Sequence, residues 1–127
     1  MDIKFWKDRT KGTIEPTLFS DKAEFLAKEL ANEGKRINKR TQIRKFYDEV
    51  VRLDMESKTR DWDNILPIVN MLIAKAAYAK GRDLVSDNFL NFIKNSVKQI
   101  SDKKDLSAFA NFFEAFMGFY RLHRPSD

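Results

Sequence analysis

The chain has 127 residues, 24 Lys and Arg against 19 Asp and Glu, a formal charge of +5 and no cysteine. That is one domain's length, long enough to bury a core, and the missing cysteines exclude disulfides, thiolate nucleophiles and cysteine-based metal sites. A hydrophobic fraction of 43% argues against wholesale disorder, no apolar run of 18 residues predicts a membrane span, and the opening MDIKFWKDR lacks the apolar stretch of a secretory signal.

Residues 1–19 are charged, contain Gly12 and Pro16, and hold Phe5 and Trp6 among their large apolar groups. They predict a loosely ordered N-terminal arm that could dock through those two aromatics or stay disordered. A first helix is expected near Ser20–Glu33, with Ser20 as cap, Phe25, Leu26 and Leu30 as its apolar stripe and Gly34 as its stop. A second helix starts near Thr41 and runs to about Met55. Its apolar face is Ile43, Phe46, Tyr47, Val50, Val51 and Leu53. Lys45–Glu49 and Asp48–Arg52 stand at i,i+4 on its outer side, the spacing of helix-surface ion pairs.

A loop, Glu56–Asp63, leads to a third helix at about Asn64–Lys80, with Pro67 in its first turn. The stretch ILPIVNMLIAKAAYA is apolar nearly all round, which predicts the central buried helix. A fourth helix, about Asp87–Ile100, is capped by Ser86, and a fifth, about Lys103–Leu122, by Asp102. No strand alternation or long repeat stands out. The expected fold is all-α: a compact bundle of about five helices in one domain over residues 20–124, with the arm before it and a short tail, 125–127, after it.

The positive charge is unevenly spread. KRINKRTQIRK, from Lys35 to Lys45, holds Lys35, Arg36, Lys39, Arg40, Arg44 and Lys45 and no acid, while the rest of the chain is close to neutral. A local cluster of this kind is a polyanion site or a solvated basic loop; it does not make the whole surface adhesive. The acid pairs Asp61/Asp63, Asp83/Asp87 and Asp102/Asp105 lie at helix starts or loops, where capping explains them. His123, the single histidine, cannot by itself build a relay or a histidine metal site. No glycine-rich phosphate loop is present. These residues support no enzyme, catalytic group, metal or cofactor.

The last predicted helix carries Phe109, Phe112, Phe113, Phe116, Phe119 and Tyr120, spread over about half its circumference. Phe109, Phe113 and Tyr120 suit the core. Phe112, Phe116 and Phe119 flank that stripe and are the candidate protein interface, for self-association or a partner. The other reading buries the helix on two sides within one chain.

Three stretches in order, TQIRKFYDEV (Thr41–Val50), AYAKGR (Ala77–Arg82) and FFEAFMGFYRLH (Phe112–His123), resemble the small helical subunit of Csm-type (type III-A) CRISPR effector complexes. The likeness covers about residues 20–123. It implies a non-catalytic, all-helical subunit that stacks in several copies beside the other Csm subunits and lines the groove for CRISPR RNA and target RNA, and the missing cysteines fit a cytoplasmic setting. The RNA-facing positions it implies are Arg44, Lys45, Lys80 and Arg82. Lys35, Arg36, Lys39 and Arg40 join them on charge alone. The expected mode is contact with backbone phosphates, blind to sequence. The rival is a helical interaction or homo-oligomerisation module with no nucleic-acid role.

Overall fold

The computed structural model describes residues 3–127; Met1 and Asp2, the first two residues of the expected arm, lie outside the described residues. The order of elements is β1 (Trp6–Asp8), β2 (Thr13–Ile14), a π-helical turn (Leu18–Lys22), α1 (Ala23–Ala31), α2 (Arg40–Ser57), α3 (Trp62–Gly81), α4 (Asp87–Lys98) and α5 (Lys103–His123). Among the described residues the fold is a mostly all-α bundle of five α-helices with one small hairpin. Ser86 and Asp102 cap as expected: Ser86 Oγ accepts from the Phe89 N–H at 3.2 Å, and Asp102 Oδ1 from the Asp105 N–H at 3.0 Å. Ser20 caps nothing. It sits within the π-helical turn, and α1 begins three residues later with no side-chain cap.

The helix at the centre is α5, not α3. α5 packs on α1, α2 and the π-helical turn, whereas α3 packs chiefly on α4 and α2. Only one face of α3 is buried, formed by Ile65, Val69, Leu72, Ala76 and Ala79. Its other face leaves Met71 and Tyr78 exposed, with Ala74 and Ala77 beside them. Alanine counts as apolar but suits an exposed helix position equally well, so an alanine-rich segment can look buried all round and be buried on one side.

Phe109, Phe112, Phe113, Phe116 and Tyr120 of α5 are all fully buried. Phe92 of α4 lies 5.5–6.0 Å, centroid to centroid, from the first four of those rings. Such offset and edge contacts add to the area term.

The N-terminal segment is docked rather than loose. Phe5 is fully buried and stacks on Phe109 at 5.9 Å. Burial of a side chain that size stabilises by about 1.5–3 kcal/mol. β1 and β2 pair antiparallel, with Gly12 at φ +70° in the intervening turn. Trp6 Nε1 donates to Asp105 Oδ1 at 2.8 Å, Arg9 Nε donates to the same oxygen at 3.0 Å, and Arg9 also bridges to Asp102. Ile3, Phe5 and Leu18 are buried in the core, and Trp6 and Ile14 pack against it.

Candidate nucleic-acid interface

The basic cluster begins in the loop between α1 and α2, and buried polar groups hold that loop from below. Asn38 has no exposed surface and adopts φ 57°, a left-handed conformation that Asn tolerates better than most residues. Its N–H donates to Leu84 O at 3.0 Å, its side-chain amide donates to Ser86 Oγ at 3.1 Å, and its Oδ1 accepts from the Ser86 N–H at 2.9 Å. Tyr120 Oη donates to the Asn38 carbonyl at 2.5 Å. Burial pushes the Tyr120 phenol up to about 12, so it stays a donor.

Arg124 completes the support. It is 7% exposed and donates to the carbonyls of Gly34, Ile37 and Lys35 at 2.9, 2.7 and 2.8 Å. One guanidinium thus satisfies three loop carbonyls that no helix or strand takes up. With the backbone tied inward, Lys35, Arg36 and Lys39 are exposed.

Lys39 supplies no side-chain cap to α2. Asp127 takes that place: its Oδ1 accepts from the Arg40 N–H at 3.4 Å and its backbone carbonyl from the Thr41 N–H at 3.3 Å. A hydrogen bond from Arg124 holds the Asp127 carboxyl below its usual range. Arg40, Arg44 and Lys45 of α2 and Arg121 of α5 line a groove of about 490 Å³, with Asp48 and Asp127 also on its walls. Arg40 is half-buried, and its Nε has no hydrogen-bond partner among the described residues. A second groove of about 350 Å³ runs between α2 and α3, with Lys45, Lys75 and Arg82 among its walls. Lys45 belongs to both grooves, so the positive surface is continuous around the first turns of α2.

Ion pairing differs from the i,i+4 expectation. Arg44 pairs with Asp48 at 3.5 Å, Arg52 with Glu49 and Glu56, and Lys75 with Glu49 at 3.5 Å. Among the described residues, Lys35, Arg36, Lys39, Arg40, Lys45 and Arg82 form no ion pair. Lys80 stands apart from that surface. Its Nζ is 3.8 Å from Asp87, in a depression shared with Glu33 and Asp83. All eight cations named from sequence lie on the α1–α2 loop, α2 or the end of α3, and of these Lys80 faces acid.

The interface residues need correction. Phe112 and Phe116 are fully buried within the single chain and offer no surface; Phe119 alone of the three is half-buried. α5 carries aromatics over half its circumference because α1 and α2 both cover it. Arg124 and Asn38 were missed as architectural residues. A basic residue after a helix reads as a dipole partner, and nothing local announces that a distant loop will need its donors. His123 Nε2 lies 2.8 Å from Glu24 Oε2, tying α5 to α1. Among the described residues, no three His, Asp or Glu side chains gather to hold a metal ion, and no helix is long and apolar enough to cross a membrane.

A profile of the family described as Csm2 Type III-A matches residues 14–126. The CRISPR system Cms protein Csm2 of Streptococcus thermophilus is 26% identical over 113 residues, which span 86% of this chain and 93% of that protein. No solved structure matches the chain.

Proposed function

The chain belongs to the Csm2 Type III-A family, and from that premise we propose that it is a structural subunit of a type III-A CRISPR complex that holds guide or target RNA by its backbone phosphates. It acts beside other Csm subunits and performs no chemistry of its own. The observation that carries the RNA reading is the set of cations around the start of α2. Lys35, Arg36, Lys39 and Lys45 are exposed, and none has a carboxylate within ion-pair reach among the described residues. Surface lysines and arginines usually have acids among their neighbours. Leaving several together costs self-repulsion, which a polyanion relieves. Phosphate contacts also suit a subunit whose RNA changes from one guide to the next, since they carry no sequence information.

Replacing Lys35, Arg36 and Lys39 with Ala should leave the fold intact, because none of the three side chains supports the core. Affinity for single-stranded RNA should fall, and the slope of log K against log salt should flatten by about 2, from roughly 0.7 per lost phosphate contact. Filter binding across a salt series reads both. A folded variant with unchanged affinity and slope would leave the interaction-module reading in its place.

A further inference from the structure

The groove between α2 and α3 has a composition that phosphate binding alone does not explain. Its floor is apolar, formed by Phe46, Leu72 and Ala79. Its rim carries Lys45, Lys75 and Arg82, with Gln42 at one side. Among the described residues that line the groove the one acid, Glu49, is already engaged by Arg52 and Lys75. On the α3 side stands Tyr78, a large aromatic left 68% exposed. Arg82, one turn on, places its guanidinium carbon 5.6 Å from the Tyr78 ring centroid. That cation–π contact steadies the ring and leaves most of it open.

We propose that this groove is a nucleobase-stacking subsite, in which Tyr78 takes the face of one unpaired RNA base while Lys45, Lys75 and Arg82 hold the phosphates on either side. The occupant is argued from charge and shape together. Protein interfaces are depleted of lysine relative to the rest of the surface, whereas Lys45 and Arg82, both without an ion pair among the described residues, beside a Lys75 that shares Glu49 with Arg52, suit a polyanion. An exposed aromatic set among such cations is the arrangement by which proteins hold single strands: the backbone is tracked by charge and a base is held by its π face. Stacking is tolerant of sequence because every base has such a face, so it is compatible with a changing guide. Lys45 joins the subsite to the phosphate surface, and a strand lying along α2 would pass from one groove to the other.

The inference rests on the RNA reading, and the two can fail separately. The probes are a short oligoadenylate with one 2-aminopurine and an abasic ribose-phosphate oligomer of equal length and charge, each titrated with the full chain. Tyr78→Ala should weaken the base-bearing strand by about 5- to 150-fold, the fold-change equivalent of ~1–3 kcal/mol per stacked base. It should leave abasic binding and the salt slope unchanged and should abolish the 2-aminopurine quench. Tyr78→Phe should retain both affinity and quench. Tyr78 is too exposed for either change to threaten the fold, which circular dichroism verifies. If Tyr78→Ala binds both strands like the wild type, or weakens both equally, the subsite is wrong. Continued loss of binding in the Lys35→Ala/Arg36→Ala/Lys39→Ala variant would then keep the phosphate reading standing. If Tyr78→Ala changes only self-association, the groove is a protein contact and the subsite is again wrong. A wild-type chain that binds neither strand overturns the RNA reading and the subsite with it.

Discussion

Asp105 shows how one buried acid can join two parts of the chain. It is 3% exposed at the start of α5. Burial pushes its carboxyl up, but hydrogen bonds from the Ser101 N–H, Trp6, the Ser101 hydroxyl and Arg9 outweigh that and hold it below its ordinary value of 3.8. In the unfolded chain those donors are gone and the ordinary value returns. A carboxyl depressed on folding stabilises fully above the unfolded value, and the contribution is lost as pH falls through the lower folded value. Asp105→Asn should therefore be less stable than the wild type at neutral pH, and the gap should narrow as pH drops below about 4. Urea midpoints measured from pH 7 down to pH 3 check this; a gap that stays constant would mean that the charge is immaterial. Arg124 has the parallel role at the other end of α5, where its fixed fork of donors serves three loop carbonyls.

At the scale of elements, α5 packs on α1, α2 and the π-helical turn, while α3 packs chiefly on α4 and α2. Phe116→Ala should cost about 3–5 kcal/mol, because the ring is fully buried among Phe92, Phe113 and Tyr120 and its removal leaves a cavity. Phe119→Ala, half-buried, should cost less than about 1.5 kcal/mol and is the variant in which any effect on self-association can be read by sedimentation. Equal destabilisation of the two would contradict the packing. Helix positions were legible in the sequence because period and caps are local: Ser86, Asp102 and the apolar face of α2 each announce themselves within a turn or two. Which helix lies at the centre was not. That depends on how many neighbours cover each helix, and an alanine-rich α3 and a phenylalanine-rich α5 differ there in bulk more than in hydrophobic pattern. The docked hairpin was half-visible, through Phe5 and Trp6, because its anchor, Asp105, lies almost a hundred residues away.

Over the whole molecule, the basic surface was legible as a run of charge, since Lys35 to Lys45 contains no acid. Its extent was not, because Lys75 and Tyr78 join it from α3 and Arg121 from α5, while Lys80 turns toward Asp87. The complete surface is small. On the proposed RNA reading, one chain offers a handful of phosphate contacts, each weakened by salt, so one chain on a short RNA should bind weakly. If copies also touch one another, each added copy binds at the effective concentration set by its neighbour, and contacts sum along the strand. Oligoadenylates of increasing length should then show affinity per copy that rises with length, together with a salt slope that grows in proportion to the copies bound. Independent copies would give a per-copy affinity that is flat with length after statistical correction for overlapping sites. Light scattering counts the copies and fluorescence anisotropy gives the affinity. A flat profile would mean that the chain does not stack on itself and that cooperation along RNA must come from the other Csm subunits.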